Sequence, residues 1–237
     1  MLHVLRKYRN ALCIGVVVIC CCLCTTLLIR NTQQQEEQVV TYVSGALAKM
    51  DLDELLTESS LVVKGTVTDD RKSFQIRSVN GGVSIFTDIS FQVSEVIRGE
   101  TENDTITIRV QGGTVGNTTE IHEHDPIPYN AGQELLVFLY KPGRGGSYNT
   151  EGDYYYVLGL TQGVYAVSEE GYVSSTGAQI TEKEVYSMAR KSSPVDENYF
   201  RNEYIENQKR NLENGFITQE EYDTYMENID VYAKIVG

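Results

Sequence analysis

The chain has 237 residues, and 33 Asp and Glu against 20 Lys and Arg leave it a net charge of −13. Four of those cations fall within residues 1–30, so the rest of the chain carries sixteen against thirty-three, about −17, which excludes nucleic acid as a partner because its binding needs clustered cations. All five cysteines (Cys13, Cys20, Cys21, Cys22 and Cys24) lie near the start, so everything beyond must be held by a hydrophobic core rather than by disulfides.

Ala11–Ile29 is the first element, an uncharged apolar run behind the cations Arg6, Lys7 and Arg9. As a helix it rises by roughly 28 Å, close to the hydrocarbon thickness of a bilayer. The early cations outnumber the single Arg30 beyond the run, and this bias predicts a cytoplasmic N-terminus with the remainder exported to the extracellular side. Cys22-Leu23-Cys24 is a poor substitute for an Ala-x-Ala cleavage site, and the apolar run continues past it to Ile29, so the segment reads as an uncleaved signal anchor. The polar run Gln33-Gln34-Gln35-Glu36-Glu37-Gln38 then reads as a stalk.

Asp51–Ser59 predicts a short helix, with Leu52, Leu55 and Leu56 on one face. The period then changes to two. Leu61–Val67 opens the strands, and Ser84–Gly99 is the clearest: Ile85, Ile89, Phe91, Val93 and Ile97 on one face, Asp88, Ser90, Gln92, Ser94 and Arg98 on the other. Its length suggests a bent strand serving both sides of a small barrel. Thr105–Val110 repeats the alternation, Ile106, Ile108 and Val110 inward and Arg109 outward. Gly112 to Asn130 reads as a long loop. Leu135–Tyr140 is apolar on both faces, as a doubly buried strand requires. Pro142–Ser147 is a turn, and Tyr154–Leu158 and Val164–Val167 complete six short strands, an antiparallel barrel or sandwich. Capping boxes at Thr181-x-x-Glu184 and Thr218-x-x-Glu221 start helices, and Asn198–Glu213 and Thr218–Val236 predict a C-terminal helical hairpin joined at Asn214-Gly215. Tyr222, Tyr225, Met226, Ile229 and Tyr232 form its stripe.

Chemistry-bearing constellations are few. His122 and His124 stand at i and i+2 and project to one side of an extended chain, the spacing of a metal-ligand pair, with Asp125, Glu120 or Asp88 as conceivable third donors. Nucleophilic catalysis finds no exported cysteine and no Gly-x-Ser-x-Gly elbow, so no catalytic residue and no cofactor is assigned. Tyr154 and Tyr156 share a face of Tyr154-Tyr155-Tyr156 and offer a binding surface. Gln162, polar where strand packing does not demand it, is a candidate for a structural hydrogen bond or a ligand contact.

Ser60–Val67, Phe91-x-Val93-x-x-Val96-Ile97-x-Gly99, Gly112-Gly113, Gly132-x-Glu134-x-Leu136-x-Phe138-Leu139 and Val157-x-Gly159-Leu160-x-Gln162-Gly163-x-Tyr165-x-Val167 together resemble an extracellular β-domain family of Gram-positive-type bacteria without assigned activity. They are more faintly similar to the OB-like barrels of netrins and tissue metalloprotease inhibitors. The resemblance covers roughly residues 51–191 and implies an OB-like barrel. It carries over no catalytic residue, and the exported part lacks the N-terminal cysteine through which the inhibitors chelate metal. The resulting expectation is a mainly β chain with α: a cytoplasmic stub over 1–10, a transmembrane helix over 11–29, a stalk over 30–50, a small antiparallel OB-like β-barrel over 51–191 and a helical hairpin over 192–237. Its expected role is a membrane-anchored extracellular, non-enzymatic binding or accessory module for an unknown protein or cell-surface ligand. The alternatives are a metal-assisted extracellular hydrolase using His122 and His124, or a structural partner of another membrane protein docked through the hairpin.

Overall fold

The computed structural model describes residues 38–45, 47–123, 129–144, 146–191, 193–195 and 198–236, so the apolar segment Ala11–Ile29, the stub, His124 and Asp125 lie outside the described residues. Among those described, no helix is long and apolar enough to cross a membrane. The chain is mainly β with helices: β1 (Val39–Val43), α1 (Leu52–Glu58), β2 (Leu61–Arg77), β3 (Val83–Arg98), β4 (Thr105–Gln111), β5 (Gly113–Val115), β6 (Thr118–His122), β7 (Glu134–Tyr140), β8 (Tyr156–Val157), a 3₁₀ turn (Leu160–Gly163), β9 (Val164–Ser168), β10 (Gly171–Ser174), β11 (Gln179–Ile180), α2 (Glu182–Ala189), α3 (Tyr199–Glu213), α4 (Gln219–Glu227) and β12 (Lys234–Val236).

The main sheet runs β11-β10-β9-β7-β2-β3-β4, with β12 added to β2 and β8 to β7. Its ladder stays open, where a closed barrel was expected. β4 meets the chain ahead of β8 at a single parallel bridge, Ile108 with Tyr155, made by Arg109 N–H to Tyr155 O (2.8 Å) and Tyr155 N–H to Thr107 O (2.9 Å). The turn-rich stretch 141–153 leaves only two residues for β8, too few to continue the ladder.

β7 divides the interior, because successive side chains of a strand point to opposite faces. Leu135, Val137 and Leu139 pack with Leu61, Val63, Ile89, Phe91, Ile106 and Ile108 on one side. Leu136 and Phe138 pack on the other with Leu55 and Leu56 of α1, Val185 of α2, Tyr165 and Tyr172. Full burial of side chains this size contributes about 1.5–3 kcal/mol each. The boxes expected at Thr181 and Thr218 form, each threonine accepting from the N–H of Glu184 or Glu221 with the glutamate bonding back, and Asp51 with Glu54 makes a third that was not expected.

The strands depart from expectation where register shifts. β2 runs ten residues past Val67, across a bulge that sets Val67 opposite Phe91 and Arg71 opposite Ile89; beyond it Phe74 and Ile76 join a third cluster with Phe86 and Ala233. On β3 two residues are extra, Ser94 and Ile97: Gly65 pairs Val93, Lys64 pairs Glu95, Val63 pairs Val96 and Val62 pairs Arg98, so the two shifts cancel and Arg98 keeps the face of Gln92. Arg98, expected to face water there, is buried because that face, opposite Val62, is covered by the helical cluster and by the chain at Ser193. The segment expected to loop from Gly112 forms a hairpin, β5 with β6, in a small sheet of order β1-β6-β5. Gly113 seats it against β2 and β3 with φ +134°, where a Cβ would lie 2.3 Å from Thr87 Oγ1. The last predicted helix stops at Glu227, and β12 pairs instead with the far end of β2, Ile235 opposite Ile76. The left-handed cap at Gly215 stands as expected, with φ +72°.

Candidate functional site

Asp88 and Arg109 sit directly opposite each other on β3 and β4. Each was expected on a solvated face, yet Arg109 is only 4% exposed. Its guanidinium grips the carboxylate with two bonds, Nε to Oδ1 at 2.6 Å and Nη2 to Oδ2 at 2.9 Å, while Nη1 donates to Thr150 Oγ1 at 2.7 Å. The carbon centre of the guanidinium lies 3.6 Å from the Tyr154 ring centroid and 4.7 Å from that of Phe74. Burial opposes the charge on Arg109, but the hydrogen bonds and charge of Asp88 prevail and hold its pKa above the usual value. Bidentate pairing also fixes the plane of the fork.

This fixed cation floors a cavity of about 190 Å³, walled by Phe86, Tyr140, Tyr148 and Tyr156 and edged by Gln111, Ser147 and Asn149. The rings brace one another: Phe86 is 5.4 Å from Tyr148 and 6.5 Å from Tyr156, and Tyr140 is 5.6 Å from Tyr156. Burial pushes the Tyr140 and Tyr156 hydroxyls up, so both stay neutral phenols at any physiological pH. Leu160 closes the wall in left-handed backbone, φ +52°, directly after Gly159 at φ +65°. A side chain held there costs on the order of 1–3 kcal/mol, and such strain gathers at binding sites. The volume is below the roughly 300–1,000 Å³ of pockets for drug-sized ligands, so the cavity suits a single ring.

The residues singled out from sequence separate in space. Tyr156 lines this cavity. Tyr154 is no binding surface: it is 2% exposed, beneath Arg109, and its hydroxyl accepts from Thr150 N–H (2.9 Å) and donates to Thr150 O (3.2 Å). Gln162 makes the structural bonds, accepting from Met50 N–H and donating to Ala48 O, both at 2.9 Å, which clasps the chain entering α1.

His122 lies elsewhere, with Nε2 2.5 Å from Glu120 Oε1. That carboxylate also accepts from the Ser84 hydroxyl and, at 2.9 Å, from Ile85 N–H, so it pins the β5–β6 hairpin to β3. Burial raises the Glu120 pKa, but these bonds and His122 outweigh it and hold the acid below the usual range. Asp88, considered as a third metal donor, is held by Arg109 instead. Among the described residues no three His, Cys, Asp or Glu side chains gather as a metal site.

Sequence reasoning passed over Arg109, Thr150, Phe86, Tyr140 and Tyr148, and considered Asp88 only as a metal donor. A signal was present: opposite charges on adjacent antiparallel strands imply a cross-strand pair. Nothing local announced that the 141–155 segment folds over that pair and buries it.

No protein-family model matches the sequence, and no curated protein matches it.

Proposed function

We infer that the chain is a membrane-anchored extracellular binding or accessory module that works without catalysis, an OB-like β domain whose aromatic cavity receives one sugar ring of a cell-surface ligand. The observation that carries this reading is the Arg109 floor beneath Phe86, Tyr140, Tyr148 and Tyr156. Aromatic faces stack on the apolar faces of a pyranose, while Gln111, Ser147, Asn149 and the guanidinium edge offer partners to its hydroxyls. A pre-braced wall limits the ordering cost of binding, which matters most for so small a ligand. The uncharged run Ala11–Ile29 supports the anchor, and the cysteine-free remainder fits a surface domain that relies on its core.

The test is calorimetric titration of the full chain in detergent micelles with a panel of neutral hexoses and N-acetylhexosamines, beside free aromatic amino acids. One sugar class is expected to bind in the millimolar range, and Tyr148→Ala to abolish the heat while circular dichroism is unchanged. Binding of no sugar, or binding indifferent to Tyr148→Ala, would overturn the reading. Protease added to intact cells bearing the chain should cleave the β domain; protection until lysis would contradict the extracellular placement.

A further inference from the structure

Sheet edges are open templates, and proteins blunt them with lysine, proline, bulges or covering segments. β4 is met by the Tyr155 bridge, and β11 has only two residues. β1 differs. Val39-Val40-Thr41-Tyr42-Val43 is exposed along its whole length, with Val40 42% and Tyr42 76% exposed, and among the described residues nothing pairs with its outer side. It lies within the uncharged stretch Gln38–Ala48 of a chain in which 22% of residues are charged. Valine, threonine and tyrosine are also the residues that extended pairing favours.

We propose that β1 is a self-pairing strand: two copies of the chain join antiparallel along their β1 edges, fusing two three-stranded sheets into one sheet of six about a two-fold axis. Charge selects the occupant. At −13 per chain, apposing two copies sets acid against acid over most surfaces, whereas β1 meets its own copy with no charge on either side. An antiparallel pair of identical strands is self-complementary, as a two-fold contact requires. The second argument rests on the anchored reading, and the first does not. Residues 30–38 reach at most about 30 Å, so two anchored copies hold their β1 strands in one layer and meet at high effective concentration.

The experiment uses the full chain in micelles with its five cysteines changed to serine. Oxidation is expected to yield disulfide-linked dimers for the variant carrying both Val40→Cys and Tyr42→Cys, since with the two-fold axis at Thr41 each of these positions faces the other on the copy, and not for Phe216→Cys, which is 77% exposed at the α3–α4 turn. Equal cross-linking at Phe216→Cys, or none at the β1 positions, would overturn the proposal. In the chain without cysteine changes, Val40→Lys with Tyr42→Lys sets like charges across the joint and should lower the dimer fraction in sedimentation about ten-fold or more. A dimer indifferent to both lysines would mean another surface. A monomer whose β1 amides are protected from exchange only by an added strand-forming peptide would mean a foreign strand, and in either case the proposal falls. Sugar binding at the Arg109 cavity does not depend on any of these outcomes.

Discussion

Two arginines are buried to the same depth in this molecule, Arg109 at 4% exposure and Arg98 at 5%, and their surroundings are opposites. Arg109 has a bidentate carboxylate, a hydroxyl and two aromatic faces. Among the described residues Arg98 makes one bond, from Nη2 to Ser193 O, and its Nε and Nη1 have no hydrogen-bond partner. Burial alone lowers the Arg98 pKa, whereas Asp88 raises that of Arg109 against the same penalty. A buried charge is expensive unless paired and hydrogen-bonded, so the first arrangement is a constructed site and the second a cost left where the chain after α2 covers a strand face that alternation assigns to water.

The difference predicts effects of opposite sign. Arg109→Met strands Asp88 and removes the plate between Phe74 and Tyr154; urea unfolding should show a loss of about 3–5 kcal/mol. Arg98→Met removes an unpaired cation from an apolar setting and should raise stability by about 1–2 kcal/mol in the same assay. Equal losses at the two sites would break the comparison. Tyr148→Ala should cost about 0.5–1.5 kcal/mol through the lost ring contact with Phe86, while removing ligand binding altogether.

Acid sharpens the contrast between the Arg109 site and the β5–β6 hairpin. The Glu120 pKa is depressed in the folded state, so its contribution is present above the ordinary carboxylate pKa of about 4.3 and is lost as pH falls through the lower folded value. Amide exchange at Ile85, followed by NMR from pH 6 to pH 3 and corrected for intrinsic rates, should show this clamp weakening. Glu120→Gln should flatten that profile, and a profile indifferent to the substitution would remove the carboxylate from its assigned role.

Elements governed by local rules were legible in the sequence. Both capping boxes, the doubly apolar β7 and the left-handed Gly215 need no knowledge of what lies across the fold. The misreadings arose where tertiary context overrode the local pattern. Arg98 keeps the strand face that alternation gives it, but the chain following α2 covers that face, which alternation cannot anticipate. Lys234–Val236 continues a helical-looking stripe, yet it finds an unpaired strand edge at β2. Tyr156 was found as a site residue through the face it shares with Tyr154, although Tyr154 itself is buried. Arg109 was missed because the segment that covers it is far away in sequence and rich in turn residues.

The central claim, that the Arg109 cavity receives a sugar ring, is tested most directly by the Arg109 Nε–H resonance of the full chain in micelles. Held on Asp88 away from solvent, that proton should give a resolved, slowly exchanging signal, and the hexose that binds in calorimetry should shift it together with the ring signals of Tyr148 and Tyr156. A saturating sugar titration that leaves all three unmoved while other residues respond would place binding elsewhere and contradict the account.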